Sequence, residues 1–533
     1  MSASRHWLNQ GEAEVIGSAS SIPLSTRFPR TAPRTLGSTQ PIYITDDLLF
    51  DYQRCNRRAF LDLYGDPEQR DPPTDYLIKL RQDSVSHHLA VLGDGPVERP
   101  NYARYDWTTG AAATLQLMRQ GVERISQGVL MADIGDGLTL VSSPDLLIRQ
   151  PGYSELGDWL YVPMEIRLGK RPKLDYQVIA AYHAYVLAQV QGAWSENAWL
   201  YLRQRGAYEV DLVELLPRME EVLQGCIETV RSPQEPEVFI AHNRCDLCHW
   251  FSHCYQLAQE RNHLSLLPGV TPSRYVYLHN LGLTTLEALA TADPRKLEDL
   301  PGFGAQVAHK LIRQAQSTLH NRPLGNHVLP GYGSLLPLHQ QDLPTAPVEL
   351  YFDIEAAPEQ NLVYLHGVLV VDREAQTTEF HPLLAEGNHE EQHIWEVFLD
   401  LVWRYPTAPI FHFCPYEVQT VKRLAEQYDT PAARVLPLLD RFVDLHERVT
   451  RLATLPVESY ALKSIARWLG FHWRDPDANG AQSIYWYAQW LEKGDRTFLE
   501  AIVRYNEDDC RATHRVKDWL VEFVREMEQD LGG

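Results

Sequence analysis

No uncharged apolar run in this sequence is long enough to span a bilayer, which sets membrane-spanning functions aside. The first residues lack the apolar core of a secretory signal, so a cytoplasmic protein is expected. Cysteine is scarce and unevenly spread, with seven in 533 residues, and this odd set argues against a secreted disulfide framework. Positive charge is short as well: 49 Lys and Arg stand against 70 Asp and Glu, a net charge of -21. So acidic a surface repels phosphate backbones and excludes general polyanion coating, while leaving room for contact through local basic patches. There is no Walker-type phosphate loop, so a helicase or ATPase would have to be a separate partner.

What is present is the composition of a soluble globular protein, 44% hydrophobic and 22% charged. The length gives room for about three or four domains. Residues 1–40, rich in Ser, Thr, Pro and Arg without a period, read as a mobile leader. Glu12 and Glu14 fit an organellar transit peptide poorly. After Tyr43 a helix is expected through Leu48, Cys55 and the Arg57-Arg58 pair, with further helices at 110–130 and 175–191. Strands are expected at 138–141 and 159–162, flanking a Pro-Gly-Tyr-Ser turn. Short helices punctuated by Gly and Pro occupy 268–318, and 321–346 resembles a linker. Strands then fall at 349–355, 362–371 and 409–413, with helices at about 390–404, 416–428, 460–469 and 497–527. The fold class expected is a multidomain α/β protein.

Two acidic sets carry the chemistry. In the first, Pro144-Asp145 and Glu165-Ile166-Arg167 lie on the two arms of a hairpin whose midpoint is near residue 155. Asp145 and Glu165 would then face each other with Cβ atoms roughly 5 Å apart, and carboxylates so placed repel unless a cation sits between them. Lys170 and Lys173 are placed to touch phosphates; the plain alternative is a solvated hairpin. In the second set, Asp353 and Glu355 are two apart on an apolar strand and share a face, as do Tyr505 and Asp509, four apart on a helix. These are parts for a two-metal site, with Tyr505 orienting an attacking water. Lys463 is a candidate phosphate contact.

Between the two sets, Leu300-Pro-Gly-Phe-Gly-Ala-Gln-Val-Ala-His-Lys-Leu reads as a helix-hairpin-helix. Gly302 and Gly304 permit a tight turn that brings backbone N–H groups to a phosphate, and Lys310 and Arg313 add charge. Asn280-Leu-Gly-Leu-Thr-Thr-Leu is a weaker preceding hairpin. The other reading is a helical spacer. Cys245, Cys248 and Cys254, with the distant Cys55, form a thiolate set suited to a soft metal. Structural zinc completed by His249 or His253 is the rival to an iron-sulfur centre.

The pattern C-x2-C-x5-C with an upstream Cys55 resembles the iron-sulfur members of the RecB/AddB-like PD-(D/E)XK nucleases over about residues 42–262. The resemblance implies a 4Fe-4S cluster clamping a restriction-endonuclease-like fold, with Asp145, Glu165 and His87 (His88 is its rival) as metal ligands. Gln177 and Tyr182 would be the helix signature, and Arg167 stands where that family has its catalytic lysine. Asp-Ile-Glu closing a strand with Tyr-Asn-Glu-Asp-Asp near the end resembles the DEDDy ribonuclease-H-like exonucleases, particularly the YprB type, over about 347–530. Glu417, after the strand Pro409-Ile-Phe-His-Phe, is the best match to the middle acid implied by that resemblance, where an Asp is more usual; Asp444 is the alternative, with helix capping as its other reading. In order, these parts resemble a bacterial family of RecB-like putative nucleases with a C-terminal ribonuclease-H-like domain. The implied domains are 41–265 RecB-like, 266–320 helix-hairpin-helix, 321–346 linker and 347–533 exonuclease. The implied activity is Mg²⁺- or Mn²⁺-dependent hydrolysis of DNA, 3'-5' on single-stranded ends. An inactive nucleic-acid-binding scaffold and an RNA-processing nuclease are the rival readings.

Overall fold

The computed structural model describes residues 41–326 and 343–532. The expected leader and most of the expected linker lie outside them. The chain divides into two compact units, Met1–Val238 with His242–Cys254, and Phe239–Ala241 with Tyr255–Gly533.

In the first unit β1 (Ile42–Thr45) leads into α1 (Asp46–Arg54), where the Thr45 side chain caps the helix by accepting from the Leu48 N–H. Cys55, fully extended, separates α1 from α2 (Asn56–Tyr64); α3 (Asp75–Leu92) and α4 (Trp107–Arg119) follow. The helix expected over 110–130 ends earlier, because Gly121 turns the chain at φ +68. Then come β2 (Arg124–Ser126), β3 (Leu130–Gly135), β4 (Leu138–Ser142), β5 (Leu146–Ser154), β6 (Gly157–Arg167), α5 (Leu174–Gln191), β7 (Ala198–Leu202), β8 (Gly206–Val210) and α6 (Leu212–Arg231). One sheet has the order β2-β5-β6-β7-β8 and a smaller one β1-β4-β3. The strand at 138–142 therefore does not join the hairpin; β5 is the partner of β6, and the chain reverses between Ser154 and Gly157. The Pro-Gly-Tyr-Ser stretch is the irregular end of β5, not the turn itself. Helix α5 crosses between the parallel strands β6 and β7, as a parallel pair requires, and is apolar nearly all round because both its sides are covered.

The short helix α7 (His242–Cys245) and α8 (Phe251–Glu260) follow. In the second unit α9 (Pro272–Asn280), α10 (Leu286–Ala290), α11 (Arg295–Glu298) and α12 (Gly304–His320) close around a small core of Leu278, Leu289, Leu297 and Leu311. A two-residue strand, β9 (Leu324–Gly325), pairs with β15 (Ala453–Thr454). The remainder is β10 (Val348–Ala357), β11 (Leu362–Asp372), β12 (Thr377–Leu384), α13 (Glu391–Trp403), β13 (Ile410–His412), α14 (Tyr416–Gln427), α15 (Ala432–Leu439), β14 (Phe442–Asp444), α16 (Leu445–Leu452), β15, α17 (Leu462–Trp468), α18 (Gly480–Lys493) and α19 (Arg496–Gly532). Its sheet runs β12-β11-β10-β13-β14, antiparallel on the β12 side of β10 and parallel on the other. Alternation along β10 separates two cores. Leu350, Phe352 and Ile354 pack with Trp395, Phe398 and Val421 of α13 and α14, whereas Tyr351 shares a core with Cys510, Val516 and Leu520 of α19. Odd positions of β10 therefore face α19, and Asp353 and Glu355 are odd.

Candidate active site

Strand β10 delivers Asp353 and Glu355 and helix α19 delivers Asp509 to one point. A ligand oxygen from each lies within 4.8 Å of the others, the one such group among the described residues. Burial is the first cause of their perturbed acidity, and mutual repulsion adds to it. Asp353 is pushed well above the usual carboxylate range by burial and then by the charges of Asp509, Glu355 and Glu417. Glu355 rises to about 8 through burial and Asp509. Asp509 rises only to about 6, because hydrogen bonds from Trp473 and Tyr505 oppose its burial. Two buried carboxylates and a half-buried third that resist ionising together are a donor set suited to a divalent cation bound through oxygens.

Each acid has a fixed partner. Trp473 Nε1 donates to Asp509 Oδ1 at 2.7 Å, and Asn506 Nδ2 donates to Asp353 Oδ2 at 2.6 Å. Ser483 hydrogen-bonds Glu355, and its hydroxyl also pairs with Tyr364 at 2.7 Å. The neighbouring Asp508 is turned away and engaged by Arg474, whose Nε donates to it at 2.8 Å, so Asp509 is the acid of this pair in the triad. Lys463 Nζ lies 5.2 Å from the Tyr505 ring and 5.3 Å from that of Trp473, beside the carboxylates.

The middle acid is less direct. Glu417 is buried in the first turn of α14, 3.3 Å from His412 Nδ1, and its charge reaches Asp353 although it is not one of the clustered three. Asp444 accepts from the backbone N–H groups of Cys414, His446 and Glu447: it caps α16 and holds the turn in which Cys414 takes φ +81. A buried ion cluster fixes the register of α19 on the sheet. Glu349 pairs with Lys517 at 2.5 Å and with Arg373 at 2.5 Å. Glu349 is about 13 Å along the strand from Asp353, and Lys517 about 12 Å along the helix from Asp509. The matched lengths make the two contacts rungs of one ladder.

The first unit's carboxylates have a different environment. The β5–β6 register, Leu146 opposite Met164, places Asp145 across from Glu165. Each already has a side-chain partner within the protein. Arg167 reaches Glu165 at 2.5 Å, beside the rings of Phe50 and Tyr176, and His183 Nε2 lies 3.1 Å from the other Glu165 oxygen. His88 Nε2 lies 3.0 Å from Asp145, while its Nδ1 faces the Ser84 carbonyl at 2.6 Å. His88, not His87, is the histidine on Asp145. His87 packs beside Tyr201, its pKa lowered by burial and then by the charges of His88 and Arg203. Tyr182 is buried and donates to the carbonyl of Ile44 at 2.6 Å, tying α5 to β1, and Gln177 donates to the carbonyl of Pro172. Lys170 is exposed on the loop before α5.

In the hairpin region Gly302 (φ +81) and Gly304 (φ +70) are exposed, and a Cβ on either would meet nothing. Glycine is required there by backbone conformation alone. Lys310 is half-buried 6.0 Å from the Tyr460 ring, and Arg313 donates to the Gly325 carbonyl, so both cations face the 453–460 segment or β9. Gln314 and Ser317 donate to the carbonyls of Leu455 and Thr454. None of the four cysteines of interest is joined in a disulfide. Cys248 and Cys254 pack beside Phe60, Leu61 and Trp250. Burial raises Cys248 to about 12, with Cys55 and Cys245 near enough to push it further, and Arg57 Nε donates to Cys254 Sγ at 3.4 Å.

Residues 350–521 match the RNase_H superfamily. The match contains all three clustered acids, and residues 262–317 match the SAM-like helix-hairpin-helix tandem. No curated protein matches the chain. The protein thus carries an RNase H-like domain with a helix-hairpin-helix, a combination pointing to a nuclease-type protein that contacts nucleic acid. No helix among the described residues is long and apolar enough to cross a membrane.

Several residues of the site escaped sequence reasoning. Asn506 carried a usable signal, since it lies three before Asp509 on the same helix. Trp473 and Ser483 carried none, because only the tertiary fold brings them to the acids. His183 likewise reaches Glu165 from the middle of a largely apolar helix.

Proposed function

We propose that this chain is a divalent-metal-dependent nuclease whose RNase H-like domain removes nucleotides 3'-5' from single-stranded DNA ends. The observation that carries the reading is the clustered triad of Asp353, Glu355 and Asp509, whose acidities stay raised although Lys463 partly offsets the charges of Glu355 and Asp509. Mg²⁺ or Mn²⁺ held there supplies Lewis-acid activation of water and of the scissile phosphate. Asp353, Glu355 and Asp509 would hold the ion, and the charge of Glu417 reaches Asp353. Tyr505, hydrogen-bonded to Asp509, orients the attacking water. Lys463 meets the phosphate. The helix-hairpin-helix grips the backbone through the N–H groups around Gly302 and Gly304 without reading sequence.

The first unit acts in this reading as a RecB-like grip. Its hairpin, crossover helix and parallel strand support a PD-(D/E)XK-type core, but Glu165 is paired with Arg167 and Asp145 is in contact with His88. A carboxylate paired with a fixed cation offers less to a metal than one facing other carboxylates. Cys55, Cys245, Cys248 and Cys254 hold a 4Fe-4S cluster with a structural role; their shared neighbourhood and the Arg57 hydrogen bond to Cys254 support a soft, negatively charged centre. The test is hydrolysis of matched single-stranded DNA and RNA with and without chelator. Chelator-sensitive loss of DNA supports the proposal; RNA cut in preference to DNA replaces it with an RNA-processing reading; no hydrolysis of either leaves a binding scaffold.

A further inference from the structure

Gly367 lies in the interior of β11, where glycine is a poor residue. Its backbone does not explain it, because its φ is not positive, unlike that of Gly302 or Gly304. Space does. Gly367 is the cross-strand partner of Asp353, so a side chain there would stand beside the Asp353 carboxylate on the face toward α19. Fully buried Asn506 takes that volume instead. A Cβ at Gly367 would overlap Asn506 Oδ1 and stand 2.8 Å from its Cγ and 3.1 Å from the Phe380 ring.

We propose that Asn506 is a positioning residue for Asp353, and that Gly367 is glycine in order to admit it. This rests on the metal-binding reading of the triad. Asn506 Nδ2 donates to Asp353 Oδ2, while its Oδ1 has no hydrogen-bond partner. In the ionised form of Asp353 that metal binding requires, reversing the amide would turn that oxygen onto a carboxylate oxygen, so the orientation of Asn506 is fixed by Asp353. With Oδ2 occupied by the amide, the other oxygen of Asp353 is left for the cation. Because Asn506 and Asp509 lie on one face of α19, the same helix supplies one ligand and aims another.

The experiment is Mn²⁺ titration of the full chain, followed by the electron paramagnetic resonance signal of free Mn²⁺, alongside thermal unfolding. The proteins are wild type, Asp353→Asn, Asn506→Ala, Gly367→Ala and the Gly367→Ala/Asn506→Ala double variant. Asn506→Ala and Gly367→Ala should each weaken the Asp353-dependent site about 10- to 100-fold, the range for loss of a ligand's hydrogen-bond partner. Gly367→Ala should also lower the melting temperature. In the double variant the clash is gone, so the melting temperature recovers while Mn²⁺ affinity stays within about twofold of Asn506→Ala. A purely packing role would recover both together, and that result overturns the proposal. So does Mn²⁺ affinity of Asn506→Ala within about twofold of wild type. Wild type with no Asp353-dependent Mn²⁺ site overturns the metal reading itself, and this inference with it.

Discussion

Replacing Glu355 with glutamine should make the metal-free protein more stable at pH 8 and indistinguishable from wild type near pH 5. Glu355 has its pKa raised by burial, and by Asp509 beside it, from 4.5 to about 8. The folded state thus keeps a proton that the unfolded chain releases. Stability from this group is complete below the unfolded pKa and is lost as pH rises from about 4.5 to 8. With ~1.36 kcal/mol for each tenfold change in proton affinity, the rise from 4.5 to about 8 is a penalty on the order of 4 kcal/mol at pH 8. Glutamine is neutral throughout and removes it, while disturbing the Ser483 hydrogen bond returns about 1 kcal/mol. The net gain, roughly 3 kcal/mol, corresponds to a rise of about 6 °C or more for a unit of this size. The assay is thermal unfolding in chelator at pH 5 and pH 8, reading the transition that Mn²⁺ shifts in wild type. Mn²⁺ should raise wild type at pH 8 and leave Glu355→Gln nearly unmoved. A glutamine variant less stable than wild type at pH 8, or a difference independent of pH, refutes the reasoning.

The same acidities give a pH profile: Glu355 at about 8 and Asp509 at about 6 must lose protons to hold a cation, so apparent Mn²⁺ affinity should rise steadily from pH 6 to 9, as titration at fixed ionic strength will show. Lys517→Ala strands the buried Glu349 with Arg373 alone and should cost about 3–5 kcal/mol in denaturant unfolding, whereas replacing Lys517 and Glu349 together by apolar residues should cost far less. Gly302→Ala with Gly304→Ala should weaken DNA binding at least tenfold in a fluorescence anisotropy titration; stability should fall by about 1–2 kcal/mol per residue from the positive φ alone, since no neighbour is hit. Cys254→Ser should lower the iron content and visible absorbance of anaerobically purified protein; a bound metal that is zinc in wild type would replace the iron-sulfur reading.

The second acidic set was legible because its elements obey simple periods. Asp-x-Glu on an apolar strand shares a face by the two-residue repeat, and Tyr505 and Asp509 share one by the helical repeat. The match over residues 350–521 covers both motifs. Strand pairing was less legible. The 138–142 strand is as apolar as its neighbours, and nothing local says that it joins β1 and β3 rather than β6. The hairpin turn was displaced because Pro151 and Gly152 look like turn residues, yet sit at the irregular end of a strand. Strand β12, with its exposed and half-buried Thr, Glu, Phe and His, offered too little hydrophobic alternation to be seen. In the first acidic set, spacing set Asp145 opposite Glu165 but could not reveal His88, Arg167 and His183 closing on them. Those pairings depend on how helices α3 and α5 lie, which no short motif encodes. Asn506 was legible only in part: its spacing from Asp509 puts both on one face of α19, but the glycine that makes room for it lacks a side chain and leaves no pattern.

The most direct measurement is degradation of 3'-labelled and 5'-labelled single-stranded DNA in Mn²⁺ by anaerobically purified wild type, Asp353→Ala and Asp145→Ala. The account predicts chelator-sensitive shortening from the 3' end that Asp353→Ala abolishes and Asp145→Ala retains. Cutting that survives Asp353→Ala and disappears with Asp145→Ala would contradict it and place the chemistry in the first unit.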